Sequence, residues 1–437
     1  MVLEQVLAIT IGLADTVMVS SVGETAVSGV SLVDMINVLI INIFAALATG
    51  GAVVVAQLLG ARERRRACNA ARQLYLVVTV ISAVFAVFVL LLRTPLLRLF
   101  FGSIEPSVME SARTYLTISA FSYPVLAIYN AGAALFRAQG NSRSSMLIAG
   151  LVNVLNIAGN ALLIYGLRWG VAGAALSSLL SRTAAAVVIT VLLLHPFHRV
   201  SLRLGGAFRA DIGLIRRILQ IGIPNGLENS LFQLGRILVV SMIALFGTTQ
   251  IAANAVANNL DAVACIPGQA MNLAIITVVG QCIGAGDTEQ ARRMARKLLR
   301  ITYVILAAAC LLTVAVTPLV LRIYSLSAEA LSLALVLILI HNLSAIVIWP
   351  LSFTLPNVLR AANDVRYPMV CSIASMMILR LGSGYLFAVV LGLGATGIWI
   401  AMVGDWLCRS LCFTLRFRSG KWLSYAPGVQ LVAQQKN

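Results

Sequence analysis

Four acidic residues and one basic residue stand inside long apolar stretches: Glu4, Asp15, Glu228, Asp261 and Arg236, with Asp34 nearer the end of such a stretch. A charge at the hydrocarbon centre costs about 2.5–3.5 kcal/mol on insertion scales, so each is a functional candidate. Asp15 follows Glu4 by eleven residues, three helical turns, which sets both carboxyls on one face about 16 Å apart. An isolated Asp15 can load and release a proton or hold a sodium ion; the alternative is a structural, hydrogen-bonded carboxyl. Glu228 and Arg236 lie two turns apart on roughly one side, so a direct or bridged ion pair is expected there, with Asp261 as competitor for the arginine. That pairing leaves Asp15 as the better ion carrier, and makes Glu4, Glu228, Arg236 and Asp261 candidates for a substrate or second-half site.

One segment also carries Asn153, Asn156 and Asn160. Asn156 and Asn160 are four apart and face the same way, able to hydrogen-bond a carboxyl, offer carbonyl oxygens to a small cation, or tie helices together. Cys265, Cys282, Cys310, Cys371, Cys408 and Cys412 lie in apolar runs and Cys68 in a polar one, which suggests packing rather than disulfides. His195 and His198 flank Pro196 without a third ligand and are expected in a loop. Pro124, Pro267, Pro350 and Pro356 mark possible hinges. No phosphate-binding GxxxxGK[ST], HExxH or nucleophile-elbow pattern is present, so hydrolysis and ATP-driven transport by this chain are disfavoured and no enzyme is expected.

The elements that must position these groups are membrane helices. Of 437 residues 60% are hydrophobic and 11% charged, against roughly 25% charged in soluble domains. Apolar runs predict twelve spans, near 1–20, 33–59, 73–95, 111–136, 144–166, 171–194, 218–246, 252–284, 301–322, 330–359, 367–391 and 394–415. Of 32 Lys and Arg, 24 fall in the even-numbered connections and the C-terminal end, four (Arg93, Arg98, Arg168, Arg322) in the odd ones. The net charge of +17 is thereby a topology signal, with the C-terminus cytoplasmic, and nucleic-acid binding is disfavoured.

Shifted by roughly 224 residues, the halves align. Gln57-Leu58-Leu59-Gly60-Ala61 meets Gln281-Cys282-Ile283-Gly284-Ala285, Thr94-Pro95 meets Thr317-Pro318, Arg137-Ala138 meets Arg360-Ala361, and Glu4 meets Glu228. The fold expected is all-α and polytopic: two pseudo-symmetric six-helix bundles in parallel repeat, an architecture typical of secondary transporters. The divisions expected are 1–195, an N-terminal lobe; 196–217, a cytoplasmic connection; 218–417, a C-terminal lobe; and 418–437, a cytoplasmic tail. The second half has a lead-in, Asp211 to Gln220, with no counterpart in the first, so the first helix is expected to lack a native N-terminal segment.

Gly12-Leu13-Ala14-Asp15-Thr16-Val17-Met18-Val19, the Gln57-to-Gly60 and Gln281-to-Gly284 ends, Leu135-Phe136-Arg137-Ala138-Gln139-Gly140, and Asn156 through Asn160 together resemble the multidrug and toxic compound extrusion (MATE) family. The resemblance implies V-shaped lobes that alternate between outward- and inward-open states and export small organic cations in exchange for H⁺ or Na⁺. It implies no cofactor beyond the coupling ion, a monomer in contact with membrane lipid, and an inner-membrane location. It places the coupling cation, H⁺ or possibly Na⁺, at Asp15, Asn156 and Asn160. A sodium-coupled branch has carboxylates at the positions of Phe232 and Trp349, which leaves a second-lobe sodium site without its ligands. The rival functions are a flippase of lipid-linked or glycan cargo, which predicts a strongly cationic cavity, and a non-transporting scaffold or sensor.

Overall fold

The computed structural model describes residues 1–437 except 103–104, 203–208, 323, 325 and 427–437. The regular elements among them are helices. Twelve are long and apolar enough to cross a membrane. They are α1 (Val2–Ser20), α2 (Glu24–Gly60), α3 (Arg64–Phe101), α4 (Pro106–Ala138), α5 (Ser142–Gly166), α6 (Gly170–Leu194) and α7 (Ile212–Ala244). A shorter helix, α8 (Thr248–Ala264), precedes α9 (Ile266–Gly284), α10 (Thr288–Leu321), α11 (Ala328–Ala361), α12 (Arg366–Val390) and α13 (Gly394–Arg418). The span expected over 252–284 is therefore two helices, α8 and α9, meeting at Cys265 immediately before Ile266 and Pro267. Proline cannot donate to the helical ladder, so the break falls where one backbone hydrogen bond is already missing.

Local chemistry sets the ends. Asn141, Asp287 and Ser327 accept from the backbone N–H groups of Ser144, Gln290 and Ala330 at 3.3, 2.7 and 3.2 Å, capping α5, α10 and α11. The repeat extends to the backbone. Positive φ angles recur in pairs one repeat apart, at Gly23 and Gly247, Arg62 and Gly286, Gly140 and Asn363, Arg168 and Gly392, and Gly170 and Gly394. The bulges recur too: α5 ends in a π-helical turn, Ala161–Gly166, and α12 in another, Leu386–Val390.

Contacts divide the chain into two units, one through Gly226 and one from Leu227 onward. In the first, α2 packs on α3 and α4, and α4 on α6. Phe44 is buried edge-on to Phe85 and Tyr123, with centroids 6.2 and 6.1 Å apart. In the second, α11 packs against α8, α10 and α13. Apolar side chains such as Leu91, Leu99 and Val304 are exposed, the surface a lipid-facing helix presents.

The division falls inside α7, nine residues beyond the expected start of a lobe at 218 and fifteen beyond the start of the helix at Ile212. The reason is that the lead-in is fastened to the first unit. Asn69 Nδ2 donates to Asp211 at 3.3 Å, Gln73 to the Arg209 carbonyl at 2.9 Å, and Arg217 to Gln57. Gly50 of α2 lies so close to Ile218 and Gly222 of α7 that a β-carbon there would meet their backbone.

Candidate functional site

Asp15, Asn156 and Asn160 come together in the first unit. Asn160 Nδ2 donates to Asp15 Oδ1 at 2.5 Å and lies 3.5 Å from Asn156 Oδ1; Ser178 Oγ is 3.4 Å from Asp15 Oδ2 and accepts from Asn156 Nδ2 at 3.1 Å. The helical period makes this possible: Asn156 and Asn160 share one face of α5, and α6 runs beside it with Ser177 donating to the Asn156 carbonyl at 2.8 Å. Asn160 is fully buried, and among the described residues its Oδ1 has no hydrogen-bond partner. One carboxylate held by an amide N–H and a hydroxyl, with the amide oxygens of Asn156 and Asn160 in the same cluster, suits a proton or a hard alkali cation. Asn153, one turn earlier on the same side of α5, is turned back on its own helix, donating to the Ala149 carbonyl at 2.9 Å.

Two neighbours extend the site. Asp34 of α2 accepts from Asn37 at 3.3 Å, and Asn37 accepts from the Tyr123 hydroxyl at 2.9 Å. Arg182 of α6 donates to Ser122 at 2.9 Å, and its charge attracts both Asp15 and Asp34. Asp15 is therefore not isolated from cations: Arg182 lies within electrostatic range. Its position inside a span was the available signal.

The other candidates are elsewhere. Arg137 holds Glu4 at 2.7 Å, and Ser145 donates to the same carboxylate at 3.1 Å. Arg360 holds Glu228 at 2.6 Å. The expected Glu228–Arg236 pair is not made: Arg236 is exposed and is in no ion pair among the described residues. Eight residues along a helix advance about 12 Å and turn 80°, too far and too oblique for that contact. Asp261 does not compete for Arg236 either; it lies 3.3 Å from His341 Nδ1 and accepts from Asn342 at 2.7 Å.

Arg137, Arg360 and Arg409 stand at the ends of apolar runs and read as loop cations, yet Arg360 and Arg409 are buried and Arg137 nearly so. The second unit also pairs Arg380 with Asp405 at 3.0 Å, and Ser375 donates to Asp405 at 2.6 Å. The His195–His198 loop is pinned by Arg64, which donates to the carbonyls of Pro196, His198 and Arg199 at 3.2, 2.8 and 2.9 Å. Partial burial and the neighbouring His195 push the His198 imidazole below its ordinary pKa.

The MatE family pattern matches residues 1–162 and again 224–386, one match for each copy of the repeat. The chain belongs to the MatE family. This MATE-family transporter is 27% identical over 419 residues to YisQ of Bacillus subtilis, an uncharacterized transporter, across 94% of this chain and 90% of that one. It is 26% identical over 432 residues to a probable multidrug resistance protein, NorM, of Thermotoga maritima, across 96% and 90% of the two chains. Its fold matches a MATE structure in the bent conformation with a TM-score of 0.89 at 21% identity, covering 98% of this chain and 94% of that one.

Within the MATE-family chain the residues at the two positions noted for a second-lobe sodium site both pack on one ring, Phe353. Phe232 lies under Arg380 and Arg409, and Trp349 stacks on Phe353 with centroids 5.1 Å apart.

Proposed function

We propose that this MATE-family protein is a secondary antiporter of the cytoplasmic membrane, its C-terminus on the cytoplasmic side, exporting small organic cations in exchange for H⁺ or Na⁺. The cluster of Asp15 with Asn160, Asn156 and Ser178 carries this reading, because it joins one carboxylate to a buried carbonyl, Asn160 Oδ1, that lacks a partner among the described residues. A proton on Asp15 or an alkali ion beside it would satisfy that oxygen. The ion then drives transport to the extent that it binds one orientation of the protein better than the other; each tenfold preference supplies about 1.4 kcal/mol.

The test is efflux of a fluorescent organic cation from proteoliposomes under separate proton and sodium gradients. One gradient should drive wild-type efflux, and Asp15→Asn should abolish that drive while the protein remains monodisperse. Gradient-driven efflux retained by Asp15→Asn would remove Asp15 from the coupling role. The sidedness of the C-terminus is read from labelling an added C-terminal cysteine in inverted vesicles.

A further inference from the structure

The second unit holds charges that this coupling reading leaves unused. Val239 stands one repeat on from Asp15, so the C-terminal half has no counterpart to that carboxylate. It has arginines instead: Arg360, Arg380 and Arg409 are all buried, at 8%, 5% and 3% exposure. Glu228 is held by Arg360 and Asp405 by Arg380, so the two carboxylates have cations of their own. Arg409 has no carboxylate at ion-pair distance among the described residues, and the cluster carries one positive charge in excess.

The donors of Arg409 are as telling as its charge. Nη2 reaches the Ser352 carbonyl at 3.3 Å. Nε and Nη1 are buried without a hydrogen-bond partner among the described residues, and so are Nε and Nη2 of Arg380; the one such carboxylate oxygen in the cluster, Asp405 Oδ2, already faces Arg380 Nη2 at 3.0 Å as an ion pair. The flat faces are covered: Arg409 sits 4.6 Å over Phe353 and 5.5 Å over Phe232, and Arg380 4.9 Å over Phe232. Only the N–H edges are left to bind. The carboxylates whose charges reach Arg409, Asp405 and Glu228, are engaged by Arg380 and Arg360. Buried polar hydrogens without acceptors and an excess buried charge are both costly in a folded protein, and an anion at the two guanidiniums relieves both.

We propose that the C-terminal bundle binds the carboxylate of a small organic anion or zwitterion at Arg380 and Arg409. The arginine edges take the carboxylate oxygens. The apolar part of the molecule enters the recess walled by Leu231, Phe232, Ile373, Met376 and Met377, which shares Phe232 with both arginines and is closed in this structure, so that its side chains must turn aside to open it. The methionines there can change rotamer to admit a ring. Glu228 and Ser372 also border the recess, but the carboxylate of Glu228 is neutralised by Arg360. If the chain is the exporter proposed above, its cargo then includes carboxylate-bearing amphiphiles; the binding site itself stands independently of which ion is coupled.

Trp349 and Trp406 lie 5.1 and 5.5 Å from the Phe353 ring that Arg409 covers, so tryptophan fluorescence reads occupancy. The purified protein is titrated with benzoate and with benzamide, its uncharged isostere. Benzoate should bind saturably and at least tenfold more tightly than benzamide. Arg409→Lys, which keeps the charge and changes the donor geometry, should weaken benzoate about tenfold and leave benzamide unchanged. Asp15→Asn should bind benzoate as wild type does, which separates this site from the coupling site. Equal binding of benzoate and benzamide, no saturable benzoate binding, or wild-type affinity in a folded Arg409→Lys overturns the proposal. Should Arg409→Lys fail to fold, Arg380→Lys with the wild-type benzoate-to-benzamide ratio decides it.

Discussion

Arg360 holds Glu228 at 2.6 Å in the second unit, and the residues one repeat earlier, Arg137 and Glu4, make the same ion pair at 2.7 Å in the first. Each carboxylate comes from the helix that opens its half and each arginine from the end of the fourth span of that half. An ion pair that occurs in both copies ties the same two elements together twice.

Glu228→Gln leaves Arg360 buried without a counterion. The expected loss is about 3–5 kcal/mol, and adding Arg360→Gln should restore at least half of it, because the desolvated charge is then gone. Thermal unfolding of the detergent-solubilised protein measures both. Wild-type melting of the single variant would show that the pair contributes nothing.

In the Asp15 cluster the contacts are unequal. Asn160 lies 2.5 Å from the carboxylate and Ser178 3.4 Å. Asn160→Ala should raise the ion concentration for half-maximal efflux at least about tenfold, worth about 1.4 kcal/mol. Ser178→Ala should raise it less than about threefold on the same scale. Similar effects of the two substitutions would place the ion elsewhere.

His341 is buried between Trp399 and Trp406, with ring centroids 6.0 and 5.1 Å away, while its Nδ1 faces Asp261. His341→Phe keeps the ring packing and removes the polar partner, for an expected loss of about 1–3 kcal/mol. His341→Ala adds a cavity and should cost about 2 kcal/mol more. Denaturant unfolding followed by tryptophan fluorescence measures both, and wild-type stability of His341→Phe would assign His341 no polar role.

Two glycines provide a packing test. A β-carbon on Gly50 would stand 2.6 Å from the Ile218 carbonyl oxygen and 2.9 Å from the Gly222 nitrogen, both backbone atoms that cannot swing aside. Gly50→Ala should cost about 1–3 kcal/mol or more, because α2 and α7 must move apart. On Gly12 a β-carbon meets nothing within 4 Å, and Gly12→Ala should gain about 0.5–1 kcal/mol of helix stability. An unchanged or raised melting temperature for Gly50→Ala would refute the close approach.

Much of this was legible in the chain. Twelve spans follow from apolar runs, since hydrocarbon admits few alternatives to a helix. The duplication follows from recurring Gln-x-x-Gly, Thr-Pro and Arg-Ala patterns, and Asn156 and Asn160 share a face because the helical period says so. These are local properties, carried by neighbours in sequence. The choice of partners was not local. Arg236, eight residues from Glu228, looked like its counterion, and Arg360, 132 residues away, is the one that reaches it. The repeat held the missing signal, because glutamate and arginine both recur at the shifted positions. Arg409 illustrates the same limit: four residues beyond Asp405 near the end of an apolar run, it reads as a loop cation. Only the packing of α7, α11 and α12 around α13 buries it against Phe232 and Phe353. Composition sets whether a charge is unusual; which atoms meet it depends on helices that are distant in sequence and adjacent in space.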